Sequence, residues 1–272
     1  MQERAGRPLA FVAKAGIPHD SDQRDFWDEL LNLSGEQPPV VDDVRPPWSR
    51  FVSQTGVARN GSFKGLPVNV VMVHGFLNSG RLFGALCRML EAQGHVCLAP
   101  TFYPRDGRLG IPDLAAKLES FLGETVPAGA PLALVGFSMG ALVARHYLQS
   151  FGGARHAKAF FSIAGPYRGS FNAYLYPGAG TRQMRPGSSF LRQLDAGANA
   201  LGTLPVYTYR TPLDLMVIPS KGSRIASAPE LAVWCPLHAL LPGDPRIIDH
   251  IAGVLAKQGR GDAALQEAPR PV

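Results

Sequence analysis

Residues 132–142 read Leu132-Ala133-Leu134-Val135-Gly136-Phe137-Ser138-Met139-Gly140-Ala141-Leu142. An unbroken apolar run ends at a serine between two glycines. Beyond it Val143, Ala144, Tyr147, Leu148 and Phe151 recur at the spacing of one helix face. A strand with no polar alternation is one buried on both sides. The stretch therefore predicts a buried strand, a tight turn at Ser138 and a helix over Met139–Phe151. The flanking glycines suit a turn in which strand and helix backbones pass too close for Cβ atoms.

The same alternation extends in both directions. Upstream lie the valine-rich run Val68–His74, a helical pattern over Arg81–Gln93, the run Val96–Ala99 and a helical pattern over Pro112–Leu122; downstream comes the run Ala159–Ile163. Continuous apolar strands alternating with helices predict an α/β fold, a doubly wound, mostly parallel sheet with helices on both faces. After Gly165 the rhythm lapses into an excursion rich in glycine, proline and aromatics, residues 166–203. Val206–Arg210, Leu231–Trp234 and a last helix near Pro245–Ala256 restore it. The core domain so delimited spans residues 66–257. Ahead of it, residues 1–65 carry Pro38-Pro39, Pro46-Pro47 and one helix around Asp22 to Leu33, with Phe26, Leu30 and Leu33 on one face. They read as an N-terminal arm on an extended surface path. Whether the arm packs beside the sheet, covers a cleft or adds strands is open. Residues 258–272 read as a flexible tail.

A chain of 272 residues with 46% hydrophobic and 18% charged side chains can bury one large core and is too apolar to be disordered. No apolar run approaches the roughly 18 residues of a membrane span. The first residues, MQERAGRPLAFVAKAGIPHDSDQRDF, lack the apolar core of about 7–15 residues that marks a secretory signal. The expectation is a cytoplasmic protein. Cys87, Cys97 and Cys235 are odd in number and lack metal-site spacing, which fits a reducing compartment and no disulfide framework. The net charge of +6 comes with scattered arginines and no basic block, so it reads as solubility and not as a nucleic-acid partner.

Gly-x-Ser-x-Gly is a weak pattern by itself, because small residues suit any tight turn. Its setting strengthens it. A serine after a buried strand and before a helix is held with its hydroxyl clear at the carboxyl end of a sheet. Ser138 is thus the candidate nucleophile, with a plain turn serine as the alternative. A free serine hydroxyl is nearly inert at neutral pH, so a nucleophile requires a base, a group that orients the base, and donors for an oxyanion. The run Val70-Val71-Met72-Val73-His74-Gly75-Phe76 ends in a turn that can aim the Phe76 amide at the serine. The Met139 amide, at the helix N-terminus, is the second candidate donor. His74 reads as the residue that pins this loop.

His-Gly-Phe at 74–76, Gly-Phe-Ser-Met-Gly at 136–140 and the segments after the last two strands resemble the α/β-hydrolase superfamily, specifically the small bacterial lipase and esterase families, over roughly residues 66–257. The resemblance implies a catalytic triad in the chain order Ser, Asp, His. Asp214 lies just past the run Val206–Arg210, and its neighbours match the Asp-x-x-Val-x-Pro pattern of those lipases, where the aspartate orients the histidine. His238 lies after the last apolar run and before the last helix, and His-x-x-Leu followed by Asp-Pro recurs in the corresponding lipase loop. Asp244 there reads as a cap for the helix begun at Pro245. Rivals are less well placed: Asp195 lies in the excursion, Asp249 and His250 on the last helix, and His95, His146 and His156 beside earlier elements. Gly165-Pro166-Tyr167-Arg168-Gly169-Ser170 resembles the Pro-His-x-Gly-Ser/Thr turn of these enzymes, with Tyr167 in place of the histidine.

The resemblance implies hydrolysis of a small-molecule or lipid ester through an acyl-enzyme, with no cofactor and no metal. Phe171, Tyr174 and Leu175 are candidates to line an acyl pocket, and packing of the excursion onto the sheet is the equal alternative. Arg182, Arg185 and Arg192 could face anionic heads in a transient contact with a lipid surface, or simply water. An acyltransferase or thioesterase with the same triad, and a non-catalytic binding module on the same scaffold, stand as alternatives.

Overall fold

The computed structural model describes residues 67–266, with side chains through Gln258. The expected N-terminal arm, with its helix around Asp22 to Leu33, lies outside the described residues.

Each predicted apolar run forms a strand: β1 Asn69–Val73, β2 Val96–Leu98, β3 Leu132–Phe137, β4 Ala157–Ile163, β5 Val206–Arg210 and β6 Glu230–Ala232. They pair in parallel throughout, in the order β2-β1-β3-β4-β5-β6. The helices are α1 Gly84–Ala92, α2 Ile111–Thr125, α3 Met139–Ser150, α4 Ala179–Gln183, α5 Ser189–Ala196 and α6 Pro245–Gln266. On one face Val70, Met72, Val135 and Phe161 join a core with Leu86 and Leu90 of α1 and Ile251 and Leu255 of α6. The intervening residues Val71, Val73, Leu134 and Phe160 are equally buried and lie on the side of α2 and α3, which pack against each other. Burial on both sides is why these strands show no polar alternation. Each such side chain stabilises the fold by about 1.5–3 kcal/mol.

The chain leaves β1 for β2 on one side and returns to β3 on the other, so the strand order reverses between β1 and β3. The crevice beyond the carboxyl ends of those two strands is where open α/β sheets bind ligands. Both His74-Gly75-Phe76 and Ser138 emerge there.

The excursion resolves into a 3-10 turn Phe171–Tyr174, α4, α5 and a second 3-10 turn Gly197–Leu201. Phe190, Leu191 and Leu194 make α5 amphipathic and bury it, and the helix packs on α3. Helix α6 runs past Ala256 to Gln266, so residues 258–266, expected in the flexible tail, are helical. Once nucleated, a helix gains one hydrogen bond for each further residue it orders, which favours extension. No helix among the described residues is long and apolar enough to cross a membrane.

Two glycines carry the strand-turn-helix unit. A Cβ on Gly136 would lie 2.5 Å from the Ala141 Cα, and one on Gly140 would lie 2.1 Å from the Val73 carbonyl oxygen. Both contacts are with backbone, which cannot yield as a flexible side chain can. Gly140→Ala is therefore expected to cost about 3 kcal/mol or to prevent folding. By contrast Gly253, exposed on α6, meets nothing within 4 Å, and Gly253→Ala should stabilise by about 0.5–1 kcal/mol through helix propensity. Denaturant titration of both variants checks the pair; equal effects would contradict the packing account.

Candidate active site

Ser138 links β3 to α3 with φ 54° and ψ −122°. A non-glycine residue there is strained by about 1–3 kcal/mol and persists only where its surroundings enforce the geometry. Its amide donates to the Ile163 carbonyl of β4 at 2.8 Å, and its carbonyl accepts from Ala141 at 3.0 Å. The backbone is thereby locked on both sides while the side chain is left half-exposed. Met139 follows as the first residue of α3, so its amide is one of the unsatisfied donors of a helix N-terminus.

The loop after β1 lies directly against this turn. A Cβ on Gly75 would sit 2.9 Å from the Ser138 Cβ, so only glycine allows the approach. Beyond it the Leu77 amide donates to the Arg105 carbonyl and the Asn78 amide to the Gly75 carbonyl. The Phe76 amide has no backbone acceptor among the described residues. His74 is buried and bonded at both ring nitrogens. Its Nε2 accepts from the Phe102 amide at 2.9 Å, so Nδ1 carries the proton and donates to the Gly75 carbonyl at 2.9 Å. Burial holds its pKa below the usual histidine value. His74 therefore pins the loop as a neutral imidazole, as its place in the sequence suggested.

The structure brings Asp214 and His238 together from the loops after β5 and β6. Asp214 Oδ2 lies 2.8 Å from His238 Nδ1, and Asp214 Oδ1 accepts the Met216 and Val217 amides at 2.8 Å each. A carboxylate has no proton to give, so Nδ1 donates and Nε2 keeps its lone pair. The Asp214 side chain is fully buried, and the His238 side chain is 9% exposed. The imidazole rests on Phe137, the residue before Ser138, with ring centroids 4.7 Å apart. This pair can take a proton at Nε2 and hold the resulting charge against a buried carboxylate.

Three of the rival groups are engaged elsewhere. Asp195 faces Arg145 and Arg168 at 3.8 and 3.5 Å. Asp244 accepts the Arg246 amide at the start of α6, which is the capping role expected of it, and His250 meets the Tyr209 hydroxyl. Phe171, Tyr174 and Leu175 are exposed on and beside the turn Phe171–Tyr174. A small cleft next to Met139 is lined by Val73, His74, Phe102, Leu114 and Val143. Arg185 and Arg192 donate to the backbone carbonyls of Ala173 and Gly187, and Arg185 also lies over the Tyr174 ring.

Several supporting contacts were not visible in the sequence. Tyr167 is buried with its hydroxyl 2.6 Å from Ser162 Oγ, beneath the guanidinium of buried Arg145, and burial pushes its pKa up to about 12. Ser170 Oγ donates to the Met216 carbonyl and accepts the Ile218 amide, and Asn172 donates to the Leu215 carbonyl. These bonds tie the excursion to the loop that carries Asp214.

Residues 70–271 match the model of the Alpha/beta hydrolase family. None of the curated proteins matches the chain. Among solved structures, the mature form of Bacillus licheniformis lipase BlEst2 is 15% identical, with a TM-score of 0.56 over 73% of this chain and 94% of that one. The product of gene lin2722 from Listeria innocua is 12% identical, with a TM-score of 0.55 over 70% and 94%. At such identities the likeness is one of fold.

Burial lowers the pKa of four histidines, His74, His95, His146 and His250, below the ordinary 6.5. The folded state then binds fewer protons than the unfolded chain. The stability these neutral rings contribute is complete above 6.5 and is lost as pH falls below it towards each lowered value. Thermal midpoints should therefore drop between about pH 7 and about pH 5; a flat profile across that range would contradict the assignment.

Proposed function

The chain belongs to the alpha/beta hydrolase family, and from that premise we propose that it is a serine ester hydrolase with the triad Ser138, Asp214 and His238. The observation that carries the reading is the buried Asp214–His238 pair, bonded at 2.8 Å, with its imidazole resting against the residue that precedes a strained, half-exposed serine.

In this reading Ser138 Oγ attacks the ester carbonyl while His238 Nε2 takes the hydroxyl proton. The Phe76 and Met139 amides receive the oxyanion of the tetrahedral intermediate, where fixed donors act without reorganising. Its collapse breaks the bond to the alcohol oxygen, which leaves with the proton from His238. Water then attacks the acyl-enzyme, its proton passing to His238 and on to Ser138 as the acid departs. Asp214 holds the imidazole in the tautomer that keeps Nε2 available.

A lipid ester presented at a surface is favoured by the rim of the site. Leu175, Leu215 and Trp234 are 74%, 73% and 70% exposed, and they stand on the excursion, the Asp214 loop and the segment leading to His238. Trp is suited to a boundary where one end is apolar and the other wet.

Hydrolysis of p-nitrophenyl esters checks the chemistry. Ser138→Ala should lower kcat by about 10⁴ to 10⁶, and Asp214→Asn by about 10⁴. Full activity in the serine variant would refute the assignment. Slow hydrolysis that is overtaken by transfer to an added alcohol or thiol would favour an acyltransferase. In the double variant Leu215→Ser with Trp234→Ser, the ratio of the rate on emulsified long-chain ester to that on dissolved short-chain ester should fall about tenfold. An unchanged ratio would exclude the surface contact.

A further inference from the structure

Strands β5 and β6 run side by side to Arg210 and Ala232 and then part, one leading to Asp214 and the other to His238. The last ladder bond is the Val233 amide to the Arg210 carbonyl at 2.9 Å. Beyond it a side chain takes over. Thr211, completely buried, donates its hydroxyl to the Cys235 carbonyl at 2.7 Å and accepts the Cys235 amide at 3.3 Å. The same oxygen accepts the Leu213 amide at 3.2 Å, and the Thr211 carbonyl accepts the Asp214 amide at 3.3 Å. One residue thus holds the start of both loops, three residues before the aspartate and, through Cys235, three before the histidine.

We propose that Thr211 is a positioning residue: its hydroxyl replaces a rung of the sheet where β5 and β6 diverge, and so sets the separation at which Asp214 meets His238. The proposal rests on the ester-hydrolase reading for its effect on turnover, though not for its effect on the hydrogen bond. Three polar groups bond to this one oxygen. Without it the Cys235 carbonyl and the Leu213 amide would lose their partner and the Cys235 amide would keep only its bond to the Val233 carbonyl at 3.1 Å; a buried unpaired group costs about 1–3 kcal/mol. Relaxation to satisfy them would shift one loop against the other. Displacements of about 1 Å remote from the reacting atoms can cost about a hundredfold in rate.

Thr211→Val keeps the shape and removes the hydroxyl; Thr211→Ser keeps the hydroxyl and removes the methyl. The expected result for valine is a kcat lower by about tenfold to a hundredfold with KM unchanged. The far-downfield proton resonance of His238 Nδ1, which reports its donation to Asp214, should weaken or vanish with it. Serine should restore both. If the valine variant does not fold, Thr211→Cys, whose thiol is a weak donor, should give an intermediate kcat and a weakened resonance. A valine variant that unfolds more readily but keeps the wild-type resonance and kcat would overturn the proposal. Loss of the resonance in Thr211→Val, combined with full activity in Asp214→Asn, would uphold the positioning role and defeat the ester-hydrolase reading instead.

Discussion

The site depends on the close passage of three backbones: the end of β1, the turn at Ser138 and the first turn of α3. With a Cβ on Gly140 lying 2.1 Å from the Val73 oxygen and one on Gly75 lying 2.9 Å from the Ser138 Cβ, the three segments fit only because those positions lack side chains. The strain at Ser138 follows from this fit. A φ of 54° takes Ser138 out of helical geometry, and the bond from its amide to Ile163 keeps it there. The pinned His74 completes the arrangement from the other side, fixing the loop whose Phe76 amide faces no backbone acceptor.

The second half of the site is built by divergence and not by compression. Strands β5 and β6 separate, and the polar groups of their loops are satisfied by side chains: Thr211 between the two loops, and Ser170 and Asn172 from the excursion. Asp214 closes its own loop by accepting the Met216 and Val217 amides at Oδ1, which fixes the carboxylate and leaves Oδ2 to face His238. Rigid strands thereby deliver two precise side chains on irregular segments.

Much of this was legible in the sequence because it rests on local constraints. Short valine-rich runs with no polar alternation, separated by helical patterns, read as strands buried on both sides, and glycines around a serine mark a backbone with no room for Cβ. Asp214 and His238 were found from motif positions after strands, and the structure places them in contact. What was illegible depends on long-range pairing. Nothing around Thr211 says that its hydroxyl meets Cys235, 24 positions away. Arg145 looks like a surface residue on a helix, yet it is buried under α5 with its guanidinium over Tyr167. Phe171, Tyr174 and Leu175 show the limit of composition: apolar residues near a site can be packed or exposed, and here they are exposed.

The central claim is that Ser138 is a nucleophile activated by its surroundings and not a serine that merely completes a turn. Treatment with a fluorophosphonate, followed by peptide mass mapping, tests this without knowledge of the substrate. The account predicts one stoichiometric adduct, on the peptide containing Gly136-Phe137-Ser138-Met139-Gly140, lost in the His238→Ala variant. Failure of the folded protein to label at Ser138, or labelling that persists at the same rate without His238, would contradict it.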